Sequence, residues 1–487
     1  MRLGDMLLMR GLVCGADIAR ATARQHHQGG RLGDNLIALG LMTTEQLFAV
    51  MNETPKMPRS IAETGISRGL LLGLTLKFMR VASCETLPEL SVRLHLPHSV
   101  VQEVIDDAVS QKLVHVAGAT SSGLVRSIRY GLSDQGRQAA AEALGQTQYM
   151  GPAPVSLVAF QSQVAKQPIT NEMLDVAALR DAFAGMVVSD SMIRRLVPAI
   201  SAGRTMLLYG PPGNGKTSIG NRIAGLFSDP VSIPYAIEVG GQIIRMHDPS
   251  LHRPFVTDAA ERTAPSAMAV GASVQIEAFD GRWAACQRPV AVAGGELTLD
   301  MLDLRWDPQT KCYDAPLHMK ALNGVFLIDD FGRQKVQPVD LLNRWIVPLE
   351  NRVDYLTLNT GITFRLPFDE LVIFSTNLDP AQLMDAAFLR RIPYKLQMLG
   401  PTLPEYRQIF DAAAAAAGLE LPDDVFDFVV TRLTAGGRHA LAAFQPRFIC
   451  DQAAQVCQCF QLETELTCAL AADALENLYV GIGAAGK

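Results

Sequence analysis

Residues Gly210, Pro211, Pro212, Gly213, Asn214, Gly215, Lys216 and Thr217 stand between an apolar run, Met206–Tyr209, and a helical pattern that opens at Ser218. Strand, glycine-rich turn and helix start are what a phosphate cradle requires. Glycines let the backbone curl so that successive N–H groups point at one anion. The helix N-terminus adds partial positive charge. At this spacing the Lys216 amine reaches β- and γ-phosphates and the Thr217 hydroxyl can ligate Mg²⁺. The expected ligand is a nucleoside triphosphate.

A second chemical group follows 324–328, four of whose residues are apolar, as in a buried parallel strand. It ends in Asp329 and Asp330, at the strand end where open α/β sheets bind ligands. Asp329 is placed to hold Mg²⁺ through water, and Asp330 to orient or deprotonate an attacking water. Another apolar run ends in Asn377, which can hold that water against a γ-phosphate. Arg390 and Arg391 close an apolar segment and suit a phosphate-facing finger. Arg447, near the start of a later helix, can reach the γ-phosphate from a lid, with Arg438 its competitor.

Together these residues resemble an AAA+ ATPase over roughly residues 180–480. The resemblance makes 210–217 the Walker A loop, Asp329-Asp330 Walker B, Asn377 sensor 1, Arg390 or Arg391 the arginine finger acting in trans, and Arg447 sensor 2. It implies Mg²⁺ and ATP as cofactors, a parallel αβα sandwich over 173–398 and a helical lid over 399–487. An arginine that completes a neighbour's site implies a homo-oligomer, with a hexameric ring the expected form. Residues 352–367 read as two strands around Asn359-Thr360-Gly361. A hairpin just before sensor 1 is similar to the branch that holds MoxR-like chaperones, magnesium chelatases and enhancer-dependent activators. Two departures stand out. Asp330 replaces the usual glutamate and is one methylene shorter, which predicts slow hydrolysis. Residues 230–320 exceed what a minimal core needs and predict a β-rich insertion. Neither a pore loop, which Phe279-Asp280-Gly281 imitates poorly, nor the activators' GAFTGA-type loop is present.

The remaining composition narrows the field. The chain has 487 residues and a net charge of −6, so bulk attraction to nucleic acid or anionic lipid is not expected. The apolar run 69–76 is too short to span a bilayer. Arg10 interrupts the N-terminal apolar stretch, so neither a signal peptide nor a lipoprotein cysteine at Cys14 is expected, and the expected location is cytoplasmic. The eight cysteines are scattered and read as reduced thiols packed in cores.

Residues 1–55 contain a repeat: Arg2-Leu3-Gly4-Asp5 recurs as Arg31-Leu32-Gly33-Asp34 at an offset of 29 residues. Leu7-Leu8 and Gly11-Leu12-Val13 recur as Leu36-Ile37 and Gly40-Leu41-Met42. Thr43 with Gln46 makes a capping box. The two units are similar to the MshEN domain, which binds cyclic di-GMP in type II secretion and type IV pilus ATPases. That resemblance implies a regulatory ligand held by Arg2, Leu3, Gly4, Leu7, Gly11 and Gln25 of unit one and by Arg31, Leu32, Gly33, Leu36 and Gly40 of unit two. Thr54 stands where the second glutamine would be. By analogy the client belongs to pilus, secretion or surface-polysaccharide machinery.

Residues 65–148 read as helices followed by a hairpin and a last helix, the winged-helix pattern. Its expected recognition helix, 100–111, carries Glu103, Asp106 and Asp107, which repel phosphates. Protein docking is the expected role, and nucleic acid is not an expected partner. Residues 149–172 carry Gly151, Pro152, Pro154 and Pro168 and read as a linker. The fold class is multidomain α/β. The function expected is an oligomeric ATP-driven switch or remodelling factor under cyclic di-GMP control. Two alternatives are a DNA-binding regulator with an AAA+ assembly module and a nucleotide-gated scaffold with little hydrolysis.

Overall fold

The computed structural model describes residue 7 and residues 12–28, 32–44, 46–47, 55–122, 125–171, 176–227, 229–255, 279–435 and 440–479. At the centre lies a five-stranded, wholly parallel sheet. Its strands run in the order Tyr394–Gln397, Met206–Tyr209, Leu371–Thr376, Val325–Ile328 and Val290–Ala293. Numbered along the chain, that order is 5-1-4-3-2. The strand that enters the glycine loop is thus separated from the strand that ends in Asp329 by Leu371–Thr376 alone.

Side chains alternate across this sheet, as strand geometry demands. Met206, Leu208, Leu327 and Ile373 face one core with Ile193, Leu196 and Ile219. Leu207, Phe326, Ile328 and Phe374 face another with Leu341, Trp345 and Phe388. Both faces are covered by helices, which explains the near-continuous apolar runs. Val290–Ala293 belongs to this sheet and not to the insertion, where the sequence places 289–292.

A second five-stranded sheet forms the insertion: Arg305–Asp307, Cys312–Asp314, Gln242–Arg245, Ala236–Val239 and Val155–Ser156. Its last strand comes from the segment expected to be a linker. Helix Leu157–Lys166 follows, and Phe160 and Val164, one helical turn apart, are buried in the insertion's core. Flanking Gly and Pro residues hide this short amphipathic helix in the sequence. The insertion sheet is the middle layer of a sandwich. Ile237, Ile244 and Tyr313 join the core that holds Phe160. Ala236, Ile243 and Cys312 join the core of residues 61–153.

That latter unit consists of helices Ile61–Thr64, Arg68–Val81, Leu87–Leu94 and His98–Ser110, the hairpin of Val114–Ser122 with Val125–Leu132, and helix Asp134–Gln146. The buried Arg282 bolts it down. Its guanidinium pairs with Asp280 at 2.8 Å and donates to the carbonyls of Thr64 at 2.9 Å and Pro154 at 3.2 Å. The hairpin expected over 352–367 forms as Val353–Thr357 against Thr363–Pro367. Its inner face (Leu356, Leu358, Phe364, Leu366) is buried in the insertion's core.

Among the described residues four helices follow the parallel sheet: Leu403–Ala417, Asp423–Thr434, Phe444–Phe460 and Cys468–Leu478, with a core of their own around Tyr406, Phe410 and Ile449. At the other end the 29-residue repeat is structural. The amide of Leu12 donates to Leu7 and that of Leu41 to Leu36, at 3.1 and 3.0 Å. Thr43 and Gln46 form the expected capping box, and Cys14 with Asp17 makes the equivalent contact in unit one. All eight cysteines are free thiols. No helix among the described residues is long and apolar enough to cross a membrane.

Candidate functional site

Strand Met206–Tyr209 is buried and delivers the chain to Gly210 at the C-terminal edge of the sheet. Gly210 (φ 139°) passes so close to Met398 that a Cβ would stand 2.2 Å from its carbonyl oxygen. Gly213 (φ 80°) faces the Phe444 ring, again at 2.2 Å from where a Cβ would be. Only glycine serves at these two positions. Helix Lys216–Ala224 starts directly after the loop, so Lys216, Thr217 and Ser218 lie in its first turn. Pro211, Pro212 and Ser218 are exposed, and Asn214 is buried.

The Lys216 amine folds back and donates to the carbonyls of Gly210 at 3.0 Å and Pro211 at 2.8 Å. Burial lowers its pKa, and the nearby Asp330 and Asp329 carboxylates oppose that shift. The Thr217 hydroxyl donates to Asp329 Oδ2 at 2.8 Å, across 112 positions of sequence. The two halves of the expected site therefore share one crevice, at the carboxyl ends of the strands. A hydroxyl and a carboxylate at this spacing are hard oxygen donors of the kind Mg²⁺ takes, together with waters and phosphate oxygens.

The acidic turn is braced. Asp329 Oδ1 accepts from the Asp330 amide at 3.0 Å, and Gln334 Nε2 donates to the Asp329 carbonyl at 2.8 Å. Asp330 is exposed and sits in the left-handed region at φ 48°, a conformation uncommon for residues other than glycine. The Phe331 amide donates to Ser375 O, and the Thr376 hydroxyl donates to Phe331 O, each at 2.7 Å. Asn377 follows Thr376 and is half-buried. It emerges between the glycine loop and the acidic pair because its strand runs between theirs.

The three arginines are not gathered here. Arg390 and Arg391 end helix Ala386–Arg391. Arg391 Nε donates to Glu350 Oε1 at 2.5 Å, whereas Arg390 is exposed and makes no ion pair among the described residues. Arg447 is 85% exposed and lies 3.6 Å from Asp451. The residues before it do reach the loop: the Phe444 amide donates to Gly213 O at 3.0 Å and the Ala443 amide to Asn214 Oδ1 at 3.2 Å. Neither Gln334 nor Phe444 has a local sequence signal, since each acts across a turn or a domain boundary.

Of the residues expected to hold a regulatory ligand, Arg2, Leu3, Gly4, Gly11 and Arg31 lie outside the described residues, as does Arg438. Leu7 and Leu36 are fully buried, Gly33 is buried, Leu32 and Gln25 are half-buried, and Gly40 is exposed.

Residues 402–477 match a family model described as a domain of unknown function (DUF8689). These residues are the four C-terminal helices. No curated protein matches the chain. Among solved structures the chain is similar to a point mutant of RuvB from Thermotoga maritima, at 13% identity and a TM-score of 0.34 over 62% of this chain and 74% of that one. It is also similar to the Thermotoga maritima RuvB Holliday junction branch migration motor, at 16% identity and a TM-score of 0.30 over 67% and 73%. NtrX from Brucella abortus matches at 13% identity and a TM-score of 0.36 over 61% and 56%. Likenesses this weak carry no weight against the geometry of the crevice itself.

Proposed function

We propose that this chain is a Mg²⁺- and ATP-dependent ATPase of the AAA+ type, working as an oligomeric switch or remodelling factor. The observation that carries this reading is the 2.8 Å bond between Thr217 and Asp329, with the Lys216 amine beside the same carboxylates. The 5-1-4-3-2 sheet and the hairpin before Leu371–Thr376 support it.

In this reading the backbone amides of residues 213–217 and the Lys216 amine bind the triphosphate, the amine leaving the Gly210 and Pro211 carbonyls for phosphate oxygens. Thr217 and Asp329 are the residues that would hold Mg²⁺, which would supply charge neutralisation at the phosphates. Asp330 and Asn377 orient the attacking water. Phe444 and Asn214 couple the helical lid to the loop, so that Arg447 follows lid position. Arg390 or Arg391 of a second copy completes the site. The oligomer follows from that last step, and a hexamer is the form the resemblance favours. Phosphate release from wild type, compared with Lys216→Ala and Asp330→Asn, tests the reading.

We further propose cyclic di-GMP as a regulator held by the N-terminal repeat. The duplicated backbone geometry supports two equivalent half-sites. An effector changes output only by preferring one conformation of the ring. Calorimetric titration of cyclic di-GMP into wild type and Arg31→Ala tests it: absence of heat from wild type removes the regulator. The client sought is a component of pilus, secretion or surface-polysaccharide machinery.

A second reading, a nucleotide-gated scaffold, is favoured by Asp330 alone, a short carboxylate on an exposed turn. Helix His98–Ser110 gives no support to a DNA-binding reading. Its Glu103 is spent on the Ile61 amide and Arg68, and protein docking suits its acidic surface.

A further inference from the structure

We propose, resting on the ATPase reading above, that Glu350 is a positioning residue that holds Arg391 within its own subunit and thereby leaves Arg390 as the arginine presented to a second copy's triphosphate. Adjacent arginines on a helix point about 100° apart, so the rotation of their helix decides what each one meets. That rotation is fixed. Asp385 caps the helix through the Phe388 amide at 2.6 Å, and Phe388 is 4% exposed in the core that also holds Trp345. Arg391 then falls against helix Pro338–Asn351. Its Nε meets Glu350 at 2.5 Å and its Nη1 donates to the Ala387 carbonyl at 3.1 Å. The Arg391 side chain keeps only 25% of its exposure.

A guanidinium already neutralised by a carboxylate is a poor phosphate ligand, because it must surrender one charge-assisted pair to form another. Arg390 has no such partner among the described residues. Both arginines border a shallow surface cleft of about 380 Å³, together with Leu349, Glu350 and Ala387.

The pair also joins two lines of structure. Glu350 sits at the end of the helix that turns at Arg352 into the hairpin, whose inner face is packed in the insertion. Arg391 leads into Tyr394–Gln397, which pairs with the strand before the glycine loop.

The test is steady-state ATP hydrolysis, with kcat and KM separated, by Arg390→Ala, Arg391→Ala, Glu350→Ala, Glu350→Gln, Glu350→Asp and the Glu350→Ala/Arg391→Ala pair. Circular dichroism melting establishes that each variant is folded. Arg390→Ala is expected to lose about 10³-fold or more in kcat, the scale of a trans-acting arginine, with KM unchanged. Arg391→Ala, Glu350→Ala and the near-isosteric Glu350→Gln each lose less. The double variant falls no further than either single one, and Glu350→Asp restores part of the loss. Mixing Arg390→Ala with Lys216→Ala subunits is expected to regain activity that neither has alone. A loss in Arg391→Ala matching or exceeding that of Arg390→Ala, losses that multiply in the double variant, or no regain on mixing overturns the inference. Wild type that neither binds nor hydrolyses ATP overturns the ATPase reading beneath it, and nucleotide binding measured on the same samples tells the two failures apart.

Discussion

The Phe444 amide donates to the Gly213 carbonyl at 3.0 Å, and the Phe444 ring occupies the space a Gly213 side chain would need. The C-terminal helices thus touch the glycine loop at one of its two positions that admit only glycine. Gly213→Ala is expected to destabilise the protein by about 1–3 kcal/mol, from the strained φ and the clash. Phe444→Ala added to it relieves the clash but not the φ. Thermal melting of the single and double variants checks this; a double variant less stable than Gly213→Ala refutes it.

Asp330 is expected to limit hydrolysis by its length. Asp330→Glu extends the carboxylate by one methylene towards the water and should raise phosphate release several-fold at unchanged nucleotide affinity. Unchanged or lower turnover points to the scaffold reading.

Much of this crevice is legible in the sequence, because its parts have local causes. The glycine loop between an apolar strand and a helix, and two carboxylates at a strand end, are dictated by backbone geometry. So is the Thr43–Gln46 capping box. What is not legible depends on distant contacts. Glu350 with Arg391, and Phe444 with Gly213, carry no spacing signal. The Cys14–Asp17 cap escapes notice because cysteine is not an expected capping residue. Helix Leu157–Lys166 hides between prolines, and Val290–Ala293 looks like any other strand of the insertion until its parallel pairing with Val325–Ile328 is seen.

Arg282 and Asp280 form an ion pair with side chains 4% and 3% exposed. Removing one partner of such a pair leaves a buried charge and costs about 3–5 kcal/mol. Arg282→Ala is therefore expected to lower stability by that amount and to loosen residues 61–153 from the insertion. Limited proteolysis should then cut first near Thr64 and Pro154, whose carbonyls lose their donor. A cleavage pattern identical to wild type refutes the bolt.

Glu370 is fully buried, and neither carboxyl oxygen has a hydrogen-bond partner among the described residues. Burial raises its pKa well above the ordinary value, with Arg352 opposing. A raised folded-state pKa contributes stability below the unfolded-state value, and that stability is lost as pH climbs towards the folded one. Glu370→Gln removes this loss. Its stability relative to wild type should grow as pH climbs above the ordinary glutamate range, by up to about 1.4 kcal/mol per unit. Urea unfolding at several pH values measures it; a pH-independent difference contradicts the assignment.

The most direct test of one triphosphate shared by Lys216 and Asp329 is binding of a non-hydrolysable ATP analogue with and without Mg²⁺. Wild type is expected to bind, and more tightly with the ion. Lys216→Ala should weaken binding about 10–100-fold, the worth of a charged hydrogen bond. Asp329→Ala should bind equally with and without Mg²⁺. Wild type that fails to bind, or Lys216→Ala that binds as wild type does, contradicts the account.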